Sequence, residues 1–107
     1  MLTRAHLYVI GDVIKVGFRA WARIQIHAYN LTGWIRNVYH KPEIFGPHGG
    51  VEMVLQGKEQ DIQGAIEAIR QGSPFSRIDD IEIKHEDPTE TFQEFTVLKS
   101  ESFNHRG

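Results

Sequence analysis

The chain contains no cysteine. That excludes a disulfide frame, a thiolate nucleophile and any cysteine-ligated metal centre, and it agrees with a reducing, cytoplasmic setting. Long apolar runs are missing too. Leu7–Ile10 is broken by Gly11 and Asp12, far short of the roughly 18 residues a membrane-spanning helix needs. No small-residue cleavage site follows that would make it a secretory signal. There is no basic tract, and the formal net charge is −2 with the histidines neutral. The clustered positive surface of a general nucleic-acid binder is therefore not visible. Neither a membrane nor a nucleic acid is an expected partner.

What remains is an ordinary globular composition, 40% hydrophobic and 24% charged over 107 residues, enough for one core and no second. The expected organisation is a single domain over residues 1–98, a polar tail over 99–107, and a monomer. Arg4–Gly11 alternates as a strand should, placing Leu7 and Val9 toward a core and His6 on an exposed face. From Ala20 to Leu31, Trp21, Ala22, Gln25, Ala28, Tyr29 and Leu31 recur at helical spacing. Ile24 and Ile26 widen that stripe, predicting a well-covered helix with Arg23 and His27 pointing elsewhere. Asn30 suits a left-handed cap at its end.

Gly33–Tyr39 and Val51–Leu55 read as two further strands, with Val51, Met53 and Leu55 on one face. The connection His40–Gly50 carries two prolines and three glycines, and reads as a long hairpin link with a mobile tip. Its histidines, His40 and His48, lack both helical His-x-x-x-His spacing and a carboxylate cluster, so no metal site is expected there. Ile62, Ala65, Ile66 and Ile69 mark a second helix over Asp61–Arg70, closed by Gly72-Ser73-Pro74. Arg77–His85 is a fourth strand whose apolar shift between Ile78 and Ile81 predicts a bulge or a late start. A short closing strand follows over Phe92–Leu98, with Phe95 and Val97 inward. The order, strand–helix–strand–strand–helix–strand, is the split βαβ pattern. It is an α+β class in which two helices cover one face of an antiparallel sheet.

The stretch Gly11–Arg19 links the first strand to the first helix. A loop entering a helix offers unpaired N–H groups and the positive end of the helix dipole, which favour an anion. Lys15, Val16, Gly17 and Phe18 would supply amides, and Arg19 adds a permanently charged planar fork suited to phosphate oxygens. Asn37, near the end of the second strand, can lie beside the first strand in such a sheet. Its amide donates and accepts, so it can fix the orientation of a water molecule. Neither Arg19 nor Asn37 is a base at neutral pH. The pair suits a reaction whose leaving group needs no proton, with positioning and charge stabilisation lowering the barrier. An acyl phosphate meets that condition, because a carboxylate departs and the phosphate itself can take the proton of the attacking water.

Val16-Gly17-Phe18-Arg19, followed by Gly33-Trp34-Ile35-Arg36-Asn37, resembles the paired signature of the acylphosphatase family. The resemblance continues through Val51-Glu52, Gly57 and Gly72–Asp79, and covers most of residues 4 to 98. It implies a ferredoxin-like βαββαβ fold and hydrolysis of the carboxyl-phosphate bond of a small acyl phosphate, with no metal and no cofactor. Arg19 matches the family's phosphate-binding arginine, and Asn37 the asparagine that orients the nucleophilic water. Two departures stand out. Ile14-Lys15 replaces the family's usual Gln-Gly, so a position suited to positive φ would carry a side chain at a cost of about 1–2 kcal/mol. The link from Val38 to Gly50 is longer than the family's short turn, which leaves room for a lengthened hairpin, a lid or self-association. A second reading rests on Lys15: a catalytically weak or inactive relative that binds an anion or a protein partner. An RNA-binding module of the same topology needs exposed aromatics on its central strands, and His6, Tyr8 and Tyr39 supply them poorly.

Overall fold

The computed structural model describes residues 2–100; the expected tail over 99–107 lies, from residue 101 on, outside the described residues. Among those described, β1 (Thr3–Asp12), β2 (Thr32–Val38), β3 (Gly50–Gly57), β4 (Arg77–Glu86) and β5 (Phe95–Val97) form one sheet in the order β4-β1-β3-β2-β5. Helices α1 (Phe18–Ala28) and α3 (Glu59–Gln71) cover one face, and a single turn of helix, α2 (Pro42–Phe45), lies in the β2–β3 link.

Strand alternation builds the core. Ala5, Leu7 and Val9 of β1 meet Leu55, Met53 and Val51 of β3 in register, and all six are fully buried. Phe18, Ala22 and Ile26 of α1 and Ile62, Ala65, Ile66 and Ile69 of α3 close over them. Asn30 takes the left-handed conformation (φ 59°) that ends α1. The expected bulge is present: Ile10 pairs with Asp80 and Gly11 with Ile78, leaving Asp79 as the extra residue.

Several sequence expectations need correction. First, the sheet is mixed, because β5 runs parallel to β2. The chain leaves β4 beside Arg4 and crosses to the far edge of the sheet. On the way across β1 and β3, Arg4 Nη2 and Gln56 Nε2 both donate to the Glu90 carbonyl, at 3.2 and 3.0 Å. Entering from that end, the last strand can only run in the direction of β2, which delivers its terminus to the loop end of the molecule. Second, Asn37 does not lie beside β1. It pairs with Val51 of β3, whose other neighbour is Val9.

Third, the link before β3 is not an open loop throughout: it is anchored by the α2 turn, with Pro47 and His48 exposed beyond it. Phe45 of α2 is buried against the open face of the sheet, its ring 5.9 Å from that of Tyr8. A Cβ on Gly50 would meet that ring at 2.1 Å, so the glycine is what lets Phe45 seat there. Fourth, the α1 stripe is narrower than it reads. Ile24 is 67% exposed, and Val97 of β5 is 39% exposed instead of inward. His6 is also not a free surface histidine: its Nε2 lies 2.6 Å from Glu52 and its Nδ1 3.3 Å from Glu86.

Candidate active site

The β1–α1 loop curls because two of its residues are left-handed. Lys15 has φ 65°, the strained conformation that its replacement of a glycine predicts, and Gly17 has φ 75°. A left-handed Gly17 followed by helical Phe18 turns successive N–H groups toward one side, the arrangement of an anion-binding nest. Nothing in α1 competes for that end of the helix. Gly17 is its N-cap with no side-chain cap, and the first turn has no acidic residue, whereas α3 carries Glu59 and Asp61 there. The buried Phe18 ring, packed 5.5 Å from Trp21, pins the loop to the core.

Lys15, Gly17, Phe18, Arg19 and Asn37 line one cleft of about 480 Å³. Val16 does not appear in that lining because its side chain packs against the core, and its expected contribution is its backbone amide. Arg19 Nη1 donates to the Leu98 carbonyl at 3.1 Å, which holds the guanidinium at the top of β5. Asn37 is 4% exposed, and its Oδ1 has no hydrogen-bond partner among the described residues. Its Nδ2 makes only a long 3.5 Å contact with Tyr39 Oη. An unsatisfied buried amide oxygen is costly unless a donor reaches it. Asn37 is among the residues lining the cleft, so a water molecule held there is the candidate donor.

The cleft also holds residues that the sequence did not mark. Val13, Ala20, Arg23, Ile24, Tyr39 and Val97 complete the lining. Arg23 was legible in principle, being four residues after Arg19 and so on the same helix face. The lining carries Lys15, Arg19 and Arg23 and no carboxylate. Arg36 and Arg77 play structural parts elsewhere, paired with Glu52 at 2.7 Å and with Asp79 at 3.0 Å.

Such a site can bind a phosphoryl group and a water molecule, and it offers no general base. Residues 5–97 match the family model for acylphosphatase. The chain belongs to the acylphosphatase family. An acylphosphatase from Syntrophobacter fumaroxidans is 33% identical over 94 residues, covering 88% of this chain and 89% of that one. The crystal structure of acylphosphatase from Bacillus subtilis superposes with a TM-score of 0.78 at 31% identity, covering 92% of this chain and 99% of that one. An acylphosphatase structure from Coxiella burnetii gives a TM-score of 0.78 at 28% identity, over 91% and 93% of the two chains. The ferredoxin-like acylphosphatase architecture thus accounts for the whole sheet, including the edge strand β5. Among the described residues, no helix is long and apolar enough to cross a membrane.

Proposed function

We propose that Arg19 and the loop amides from Lys15 to Phe18 hold the phosphoryl group of an acyl phosphate, while Asn37 orients the water that attacks phosphorus. The reaction is hydrolysis of the carboxyl-phosphate bond. Water adds to phosphorus, the P–O bond to the acyl group breaks, and a carboxylate leaves without needing a proton. A non-bridging phosphate oxygen takes the proton of the water. The protein's part is positioning and charge. The Arg19 fork, the Lys15 ammonium and the helix N-terminus meet the charge spread over the equatorial oxygens of a loose transition state.

The observation that carries this reading is the unsatisfied Oδ1 of Asn37, a buried residue that lines the same cleft as Arg19. The site is complete within one chain, and we assign a monomer acting in the cytoplasm on a small-molecule acyl phosphate. Inorganic phosphate, acting as a competitive inhibitor, tests the phosphate half of the reading. Arg19→Ala is expected to weaken its inhibition and cut turnover of a simple acyl phosphate by about 10²–10³-fold. Unchanged values in a folded variant would refute the assignment of Arg19.

A further inference from the structure

The phosphate-holding half of the cleft uses Lys15 and Arg19, which leaves Arg23 without a task. Its side chain is exposed on α1, borders the cleft, and makes no hydrogen bond or ion pair among the described residues. It stands one helical turn beyond Arg19, about 5–6 Å along the same face. On its cleft side the surface is apolar where solvent exposure would favour polar groups, whereas its other side borders Glu94, Thr96 and His27. Ile24, Tyr39 and Val97 are 67%, 41% and 39% exposed, and they account for half of the six exposed large hydrophobic side chains among the described residues. All three line this one cleft. Such a gathering on a small protein marks a contact surface.

The chemistry fixes what that surface meets. In-line attack by water held at Asn37 puts the departing carboxylate on the opposite side of phosphorus, toward the α1 wall that carries Arg23 and Ile24. We propose that the acyl group of the substrate lies against Ile24 and Val97, and that Arg23 reads a second anionic group, a carboxylate, on that acyl chain. The enzyme's preferred substrates are then monoacyl phosphates of dicarboxylic acids whose distal carboxylate comes within reach of the Arg23 side chain. Arg23 is a specificity residue here: it binds the distal charge and touches no reacting atom. This inference rests on the proposed assignment of the phosphoryl group to Arg19 and its loop.

Two rigid substrates separate the possibilities. Benzoyl phosphate and 4-carboxybenzoyl phosphate differ only by the para carboxylate, and neither can cyclise onto its own anhydride. In the wild-type chain, kcat/KM should favour the carboxylated compound by about tenfold, an advantage that shrinks as salt is raised. Arg23→Gln should bring the ratio to about one, and Arg23→Lys should keep part of the preference. Ile24→Ser should slow both substrates together by several-fold. A wild-type ratio near one, or a ratio that survives Arg23→Gln, overturns the proposal. The phosphate assignment is judged separately, by Arg19→Ala on benzoyl phosphate. A large loss there with no Arg23 effect sinks only the specificity inference.

Discussion

Arg19 Nη1 donates to the carbonyl oxygen of Leu98 at 3.1 Å. Leu98 is itself fixed, because its amide donates to the Ile35 carbonyl at 2.8 Å, extending β5 along β2 by one residue. The end of the last strand thus acts as a backstop for the arginine proposed to bind phosphate. A chain ending at Val97 loses that carbonyl, and kcat/KM for an acyl phosphate should fall about fivefold, the worth of one hydrogen bond of about 1 kcal/mol. A chain ending at Ser100 should match the full-length protein. Equal rates for both truncations would remove Leu98 from the account.

Lys15 works against the fold and, in the proposed reading, for the ligand. At φ 65° its side chain costs about 1 kcal/mol relative to glycine, so Lys15→Gly should raise the thermal midpoint by several degrees. The same change deletes a cation from the cleft lining, and KM should rise about threefold to tenfold. Thermal denaturation and steady-state kinetics on one preparation read both effects. A stabler protein with a lower KM would make the lysine an impairment and favour the weak or inactive reading.

On the open face, His6 sits between Glu52 and Glu86 with its ring stacked on Tyr8, while Glu52 also accepts from Arg36 Nε at 2.8 Å. The hydrogen bond to Glu52 raises the His6 pKa above its ordinary 6.5, outweighing burial. Burial pushes Glu52 upward, yet hydrogen bonds from His6 and Arg36 win and hold it below 4.5. The His6 contribution to stability is fully present below 6.5 and is lost as pH rises through its raised value. The Glu52 contribution is present above 4.5 and is lost as pH falls through its lowered value. Their pairing therefore helps most between those limits. Glu52→Gln should cost about 1–3 kcal/mol in urea unfolding at pH 5.5. At pH 9 the difference should be smaller, with only Arg36 left charged. A pH-independent difference would contradict the pairing.

The long β2–β3 link is a structural plug. Phe45 packs on the face opposite the helices, against Tyr8 and Gly50, while the cleft opens beside α1. Phe45→Ala should destabilise the chain by about 3 kcal/mol and leave kcat/KM of the folded fraction within twofold. A selective loss of activity without loss of stability would instead make the link a lid.

Local signals made much of this molecule readable. The alternation of Leu7 with Val9, the spacing of Ile62, Ala65, Ile66 and Ile69, and the Ile78–Ile81 shift all report short-range geometry, and each matches its element. The loop Lys15–Arg19 and Asn37 were legible as residue types with a chemistry. What periodicity does not carry is the meeting of distant segments. The direction of β5 depends on which end of the sheet β4 leaves. The exposure of Ile24 depends on which helical side faces that strand. The burial of Phe45 depends on space left by Gly50, and the charge state of His6 on two strands paired to its own. The place of Arg23 is hidden because a helix stripe distinguishes core from solvent but does not distinguish solvent from a cleft.

The central claim is that Asn37 holds the attacking water and takes no part in holding phosphate. It is tested most directly by steady-state kinetics of Asn37→Ala on benzoyl phosphate, with inorganic phosphate as competitive inhibitor. The account predicts that kcat falls by about 10²–10³-fold while the phosphate inhibition constant stays within a few-fold of wild type. A folded Asn37→Ala variant that keeps its kcat, or that loses phosphate binding in parallel with turnover, would contradict it.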